Sequence, residues 1–183
     1  MDKNQLKPPY YHDDSFIHFL NGEYELIFER CKKDNNYLGW SSSEKGDMIP
    51  LFVALLAKDN PVKPCSADFI KSKFHAYDEF DDFIKILPLS FLELSDEDHK
   101  KYMDYCLSEA EKRAEAILRG QHRRSYNKAA AFVVSLAEAI CSNEGEKKAE
   151  EYIKSYKAKY PRHTAFHGEL RVKITLAKLK MSL

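Results

Sequence analysis

No two cysteines in this chain stand at the CxxC spacing that a structural zinc site or a dithiol redox centre uses. Cys31, Cys65, Cys106 and Cys141 lie 34, 41 and 35 residues apart. Four cysteines are enough for two disulfides, but Cys106 and Cys141 fall within apolar helical stripes, where a thiol packs as a small hydrophobe. The reading is therefore four reduced, buried thiols. No long apolar run exists either. The longest, Met48 to Ala57, has ten residues, about half of what a bilayer crossing needs. The polar start Met1-Asp-Lys-Asn is unlike a secretory leader. A cytoplasmic protein without a membrane segment is the expectation. GxxxxGKS and GxGxxG phosphate loops are missing, and Ser41 to Ser43 lack the GxSxG elbow of a hydrolase. No catalytic residues and no cofactor are expected.

Net charge is also missing, with 29 basic and 29 acidic side chains. The balance hides a division. Up to Leu118 there are 15 Lys plus Arg against 23 Asp plus Glu, and from Arg119 onward 14 against 6. The two parts carry −8 and +8, an asymmetry that suits a charged partner surface or a head-to-tail dimer.

What the chain does have is helical periodicity. With 183 residues, 44% of them apolar, it can build one core without metal or disulfide. No stretch alternates long enough for a strand, whereas several follow the 3.6-residue period. The fold class is all-α: seven or eight helices in antiparallel hairpins, stacked as a short α-solenoid or packed as an irregular bundle. One domain over 1–183 is expected, with a break at 60–64, where Asn60-Pro61-Val-Lys-Pro64 interrupts the pattern and divides 1–60 from 61–183.

Phe16, Ile17, Phe19 and Leu20 end at Asn21-Gly22, and Tyr24, Ile27, Phe28 and Cys31 resume the stripe. Gly46-Asp47 is read as the cap of an apolar helix over Met48 to Lys58, with Pro50 in its first turn. Ser66 is read as the cap of the next helix. Ser95 opens the strongest one, its first turn acidic and its stripe formed by Tyr102, Met103, Cys106, Ala110, Ala114, Ile117 and Leu118. Two further helices carry Tyr126, Ala129, Ala130, Val133, Leu136, Ala137 and Ile140, then Ala149, Tyr152, Ile153, Tyr156 and Tyr160.

Leu136, Ala137, Ile140, Ala149 and Pro161 fall at offsets that resemble a degenerate tetratricopeptide repeat over about 36 residues, with Val133 at the consensus tryptophan position. Ser125-Tyr-Asn-Lys-Ala-Ala, Tyr160-Pro-Arg-His-Thr-Ala-Phe166 and Glu169-Leu170 resemble the helical region beyond the zinc finger in bacterial SWIM-type proteins. The CxC and CxH elements of that finger are missing here, so neither its metal nor a nucleic-acid role carries over. Both resemblances imply a helical scaffold.

A non-catalytic scaffold that binds a protein partner in a groove between hairpins is the leading expectation, with Trp40, Tyr77 and Tyr126 as anchors. The alternative is a nucleic-acid-associated protein using Arg119, Arg123, Arg124, Lys128, Arg162 and Arg171, with Tyr126, His122 and His163 as stacking groups. A third reading is a metal site or metal-dependent enzyme at His163 and His167, whose spacing places two imidazoles on one helix face. Asp78-Glu79-Phe80-Asp81-Asp82 has the outline of an aspartate-rich magnesium motif. Its second, facing motif is missing, so a solvated acidic face is the better account.

Overall fold

The computed structural model describes residues 13–36, 38, 43–58, 61–74 and 80–181. Among these, nine α-helices form in order: α1 (Asp13–Leu20), α2 (Tyr24–Lys33), α3 (Glu44–Ala57), α4 (Pro64–Phe74), α5 (Phe80–Ile86), α6 (Asp96–Arg119), α7 (Tyr126–Glu144), α8 (Glu146–Lys159) and α9 (Thr164–Ala177). Two 3₁₀ turns, Leu87–Ser90 and Arg123–Ser125, precede α6 and α7. No described residue is in a strand, and no helix among them is long and apolar enough to cross a membrane.

Local chemistry sets many of the helix ends. The Ser95 hydroxyl accepts a hydrogen bond from the Asp98 amide at 3.1 Å and opens α6. Gly22, at φ +82°, turns α1 into α2, where an added Cβ would lie 2.2 Å from Leu92 Cδ1. Gly145, at φ +93°, joins α7 to α8. Two expected caps are corrected. α3 starts at Glu44 rather than Met48, because the Ser43 hydroxyl accepts from the Gly46 amide at 3.2 Å, and Pro50 consequently lies inside the helix. Ser66 does not cap α4 with its own side chain; it is the donor in a bond to a carboxylate from a distant helix.

The centre of the bundle is α7. Every residue from Ala129 to Ile140 is buried, so a helix read as amphipathic is enclosed on all sides. Ala131, Phe132, Leu136 and Ala139 face a core cluster that includes Phe16, Phe19, Phe28, Phe52 and Tyr102. Ala130, Val133, Val134, Ala137 and Ile140 face a second one, filled from α6, α8 and α9 by Leu118, Ile153, Phe166 and Leu170. α7 packs against α3, α4, α6, α8 and α9. A solenoid unit touches only its sequence neighbours, so the irregular bundle is the arrangement adopted.

Enclosing α7 also encloses its polar residues. Glu138 is 1% exposed, and its carboxylate accepts from the Cys65 amide at 2.8 Å, the Ser66 amide at 2.8 Å and the Ser66 hydroxyl at 2.7 Å. A side chain 72 residues away thus satisfies the first amides of α4. Burial pushes the Glu138 pKa up, and these donors pull it partly back. A second buried pair, Lys45 Nζ to Glu109 Oε2 at 2.8 Å, ties α3 to α6. Lys112 reaches the other Glu109 oxygen at 2.9 Å. Arg113, next to this pair in α6, is buried, which lowers its guanidinium pKa to about 10 and leaves it charged at neutral pH.

Removing the Glu138 carboxylate strands two amides and a hydroxyl in a dry interface. Glu138→Ala is expected to lower the unfolding free energy by about 3–5 kcal/mol, and Glu138→Gln by about 1–3 kcal/mol because one acceptor oxygen survives. Urea denaturation of the three proteins checks this, and equal midpoints would remove the cap from the account.

Candidate functional site

α6 and α8 both pack on α7. The gap between them is a groove of about 410 Å³, lined by Leu107, Ser108 and Glu111 from α6 and by Tyr152, Ser155, Tyr156 and Lys159 from α8. Its volume is within the range of ligand-binding clefts. Leu107 and Tyr152 each pack against both core clusters, so the groove lies over the seam where the two cores meet. A smaller cleft of about 230 Å³, among Leu55, Pro88, Phe91 and Leu94, lies beside the turn leading to α6.

Groove chemistry follows from helix spacing. Tyr152 and Tyr156 are four apart and therefore share a face; their rings pack edge-on at 5.3 Å and their hydroxyls lie 3.4 Å apart. Burial raises both phenol pKa values, that of Tyr156 to about 12. The hydroxyls are neutral at physiological pH. Ser155 donates to the Tyr152 carbonyl at 2.6 Å, and Lys159 is ion-paired with Glu111 across the two helices. The result is a hydroxyl-rich trough with apolar walls, its charge confined to the Glu111–Lys159 pair.

No protein-family model, curated protein or solved structure matches this chain. The site is accordingly read from its residues alone.

The residues singled out in the sequence are distributed unevenly. Trp40, Tyr77, Asp78 and Glu79 lie outside the described residues. Tyr126 is a core side chain, 4% exposed. Its hydroxyl lies 3.2 Å from His163 Nδ1, and its ring packs against His163 and Phe166. His163 precedes α9 and His167 follows one turn later; burial lowers the His167 pKa. Among the described residues, no three His, Cys, Asp or Glu side chains are grouped to hold a metal. Asp81 and Asp82 are exposed on α5, and Asp82 pairs with Lys85 at 2.9 Å. Cys31, Cys65 and Cys106 are buried free thiols, and Cys141 is half-buried.

The basic residues do meet. The Tyr126–His163 contact places the start of α7 beside the start of α9, which brings Arg123 and Arg124 to the same end of the bundle as Arg162. Arg119 ends α6 here and pairs with Glu115 at 3.0 Å. At the opposite end of α6, Asp98, about 32 Å from Arg119 by helical rise, and Glu25 share Lys101 at 2.8 and 2.6 Å.

Sequence reading missed the groove residues. Tyr156, read in the apolar stripe of α8, is core, 5% exposed; Tyr152, read in the same stripe, is half-buried and lines the groove, and the available signal was that its phenol oxygen needs polar company. An ordinary tyrosine ionises near pH 10, so an unfolded chain releases the Tyr156 proton before the folded one does. Stability is thus expected to hold below pH 10 and then fall by about 1.4 kcal/mol per pH unit for this group, until the folded phenol ionises near 12. Thermal melts across the alkaline range, compared with those of Tyr156→Phe, check the sign: the variant should lose less stability above pH 10.

Proposed function

We propose that the protein is a non-catalytic helical scaffold that holds a segment of a protein partner in the groove between α6 and α8. The observation that carries this reading is the groove's composition: apolar walls, neutral phenol and serine hydroxyls, and a charge pair confined to Glu111 and Lys159. Rings with a polar tip supply rigid contact area at low entropic cost, as they do in protein interfaces. Half-buried Tyr152 of α8, rather than the core residue Tyr126, is the anchor.

The lining favours binding over chemistry. Its residues include no histidine or cysteine beside Ser108 or Ser155, and the Glu111 carboxylate is held by Lys159. The resemblance of the α7–α8 pair to a tetratricopeptide hairpin supports the same class of activity. A cytoplasmic setting fits the three buried free thiols, which stay reduced there.

Ser155 is exposed, so Ser155→Arg fills the groove without entering either core. Affinity capture from the native cells with the wild-type chain and this variant should recover a protein that the variant loses at least about tenfold, the two baits melting alike. Equal recovery of every captured protein by both baits would move the binding site elsewhere.

A further inference from the structure

We propose a second binding surface that the groove does not use: the pole where α7 and α9 begin binds the phosphate backbone of nucleic acid without reading its bases. The contacts assigned are Arg123, Arg124, Lys128, Arg162 and Arg171. All five are exposed, and none has a carboxylate partner among the described residues. Several cations elsewhere are paired: Arg30 with Asp14, Lys101 with Glu25 and Asp98, and Lys173 with Asp68. An unpaired group of one sign on adjoining elements retains its condensed counterions or finds an outside anion.

The backbone adds to the field. Neither α7 nor α9 has an acidic residue in its first turn, and neither is capped by a side-chain hydrogen bond. Both therefore present their positive ends with little local neutralisation. The negative ends of α6 and α8, which also finish here, are answered by Arg119, Lys157 and Lys159. Of the nearby carboxylates, Glu115 is taken by Arg119 and Glu111 by Lys159, leaving the half-buried Glu169 on α9.

The spread of these cations selects the ligand class. From Thr164 to Arg171 α9 rises about 10 Å, a spread that lets Arg162 and Arg171 reach neighbouring phosphates of one strand. An acidic protein surface would also want an apolar centre to bury. At this pole the rings are already used inside: Tyr126, Tyr160 and Phe166 are 4%, 5% and 0% exposed. With Tyr126 unavailable for stacking, affinity comes from charge, and sequence preference should be slight.

The test is fluorescence anisotropy with a labelled single strand of about 20 nucleotides, of mixed sequence, titrated at several salt concentrations. Five contacts predict a slope of log K against log salt of about −3.5, since each contact contributes about −0.7 for a single strand. The triple variant Arg123→Glu/Arg124→Glu/Arg162→Glu should bind at least about tenfold more weakly and lose about 2 from the slope. Because these side chains are exposed and unpaired, the variant should melt with the wild type, and Ser155→Arg should bind the strand normally. No binding at low salt, binding unchanged in the triple variant, or equally tight binding of poly-glutamate would each overturn the proposal.

Discussion

A helix with apolar residues all round must be enclosed all round, and that constraint on α7 organises the molecule. Five other helices pack against it, and its two principal faces belong to different core clusters. Once α7 occupies the centre, α6 and α8 lie against it on either side of a gap, α4 must begin against Glu138, and the turns before α7 and α9 come together. The groove, the buried cap and the basic pole all follow from where one helix lies.

Several polar groups within this core are met by partners from distant helices. Glu138 supplies the acceptors that the start of α4 lacks. Asn143 Nδ2 and His99 Nε2 both donate to the Leu56 carbonyl, at 2.9 and 3.1 Å, where α3 runs out of intrahelical donors. The Lys45–Glu109 pair fastens the opposite end of α3. A buried ion pair adds little net stability over a well-packed apolar pair, but breaking one is costly. These contacts therefore act mainly against alternative registers of the helices around α7, a distinction that apolar packing alone makes poorly because side chains of similar volume exchange at low cost.

Much of the fold was legible because helix signals are local. The acidic first turn after Ser95, the Asn21-Gly22 stop and the stripe from Tyr102 to Leu118 each depend on residues within a turn or two of one another, and each appears as read. Legibility failed where a distant group replaced a local one. Ser66 has the chemistry of a cap, yet the acceptor at α4 is a carboxylate from α7. Tyr126 has the chemistry of an exposed anchor, yet α9 covers it. Tyr152 has the spacing of a core residue, yet it is only half-buried and lines the groove between α6 and α8. Periodicity identifies the face that is buried first; it carries no information on whether a second layer arrives.

The sequence by itself determined the all-helical class, most helix positions, the free and mainly buried thiols and the opposite charge of the two parts of the chain, because propensity, capping, burial of small apolar groups and ionisation act residue by residue. Only the tertiary structure decided that the hairpins form a bundle around α7, that α6 and α8 leave a tyrosine-lined groove, and that Arg123, Arg124 and Arg162 stand at one pole. Those outcomes depend on which helices share a neighbour, and that is settled when apolar faces compete for burial across the whole chain.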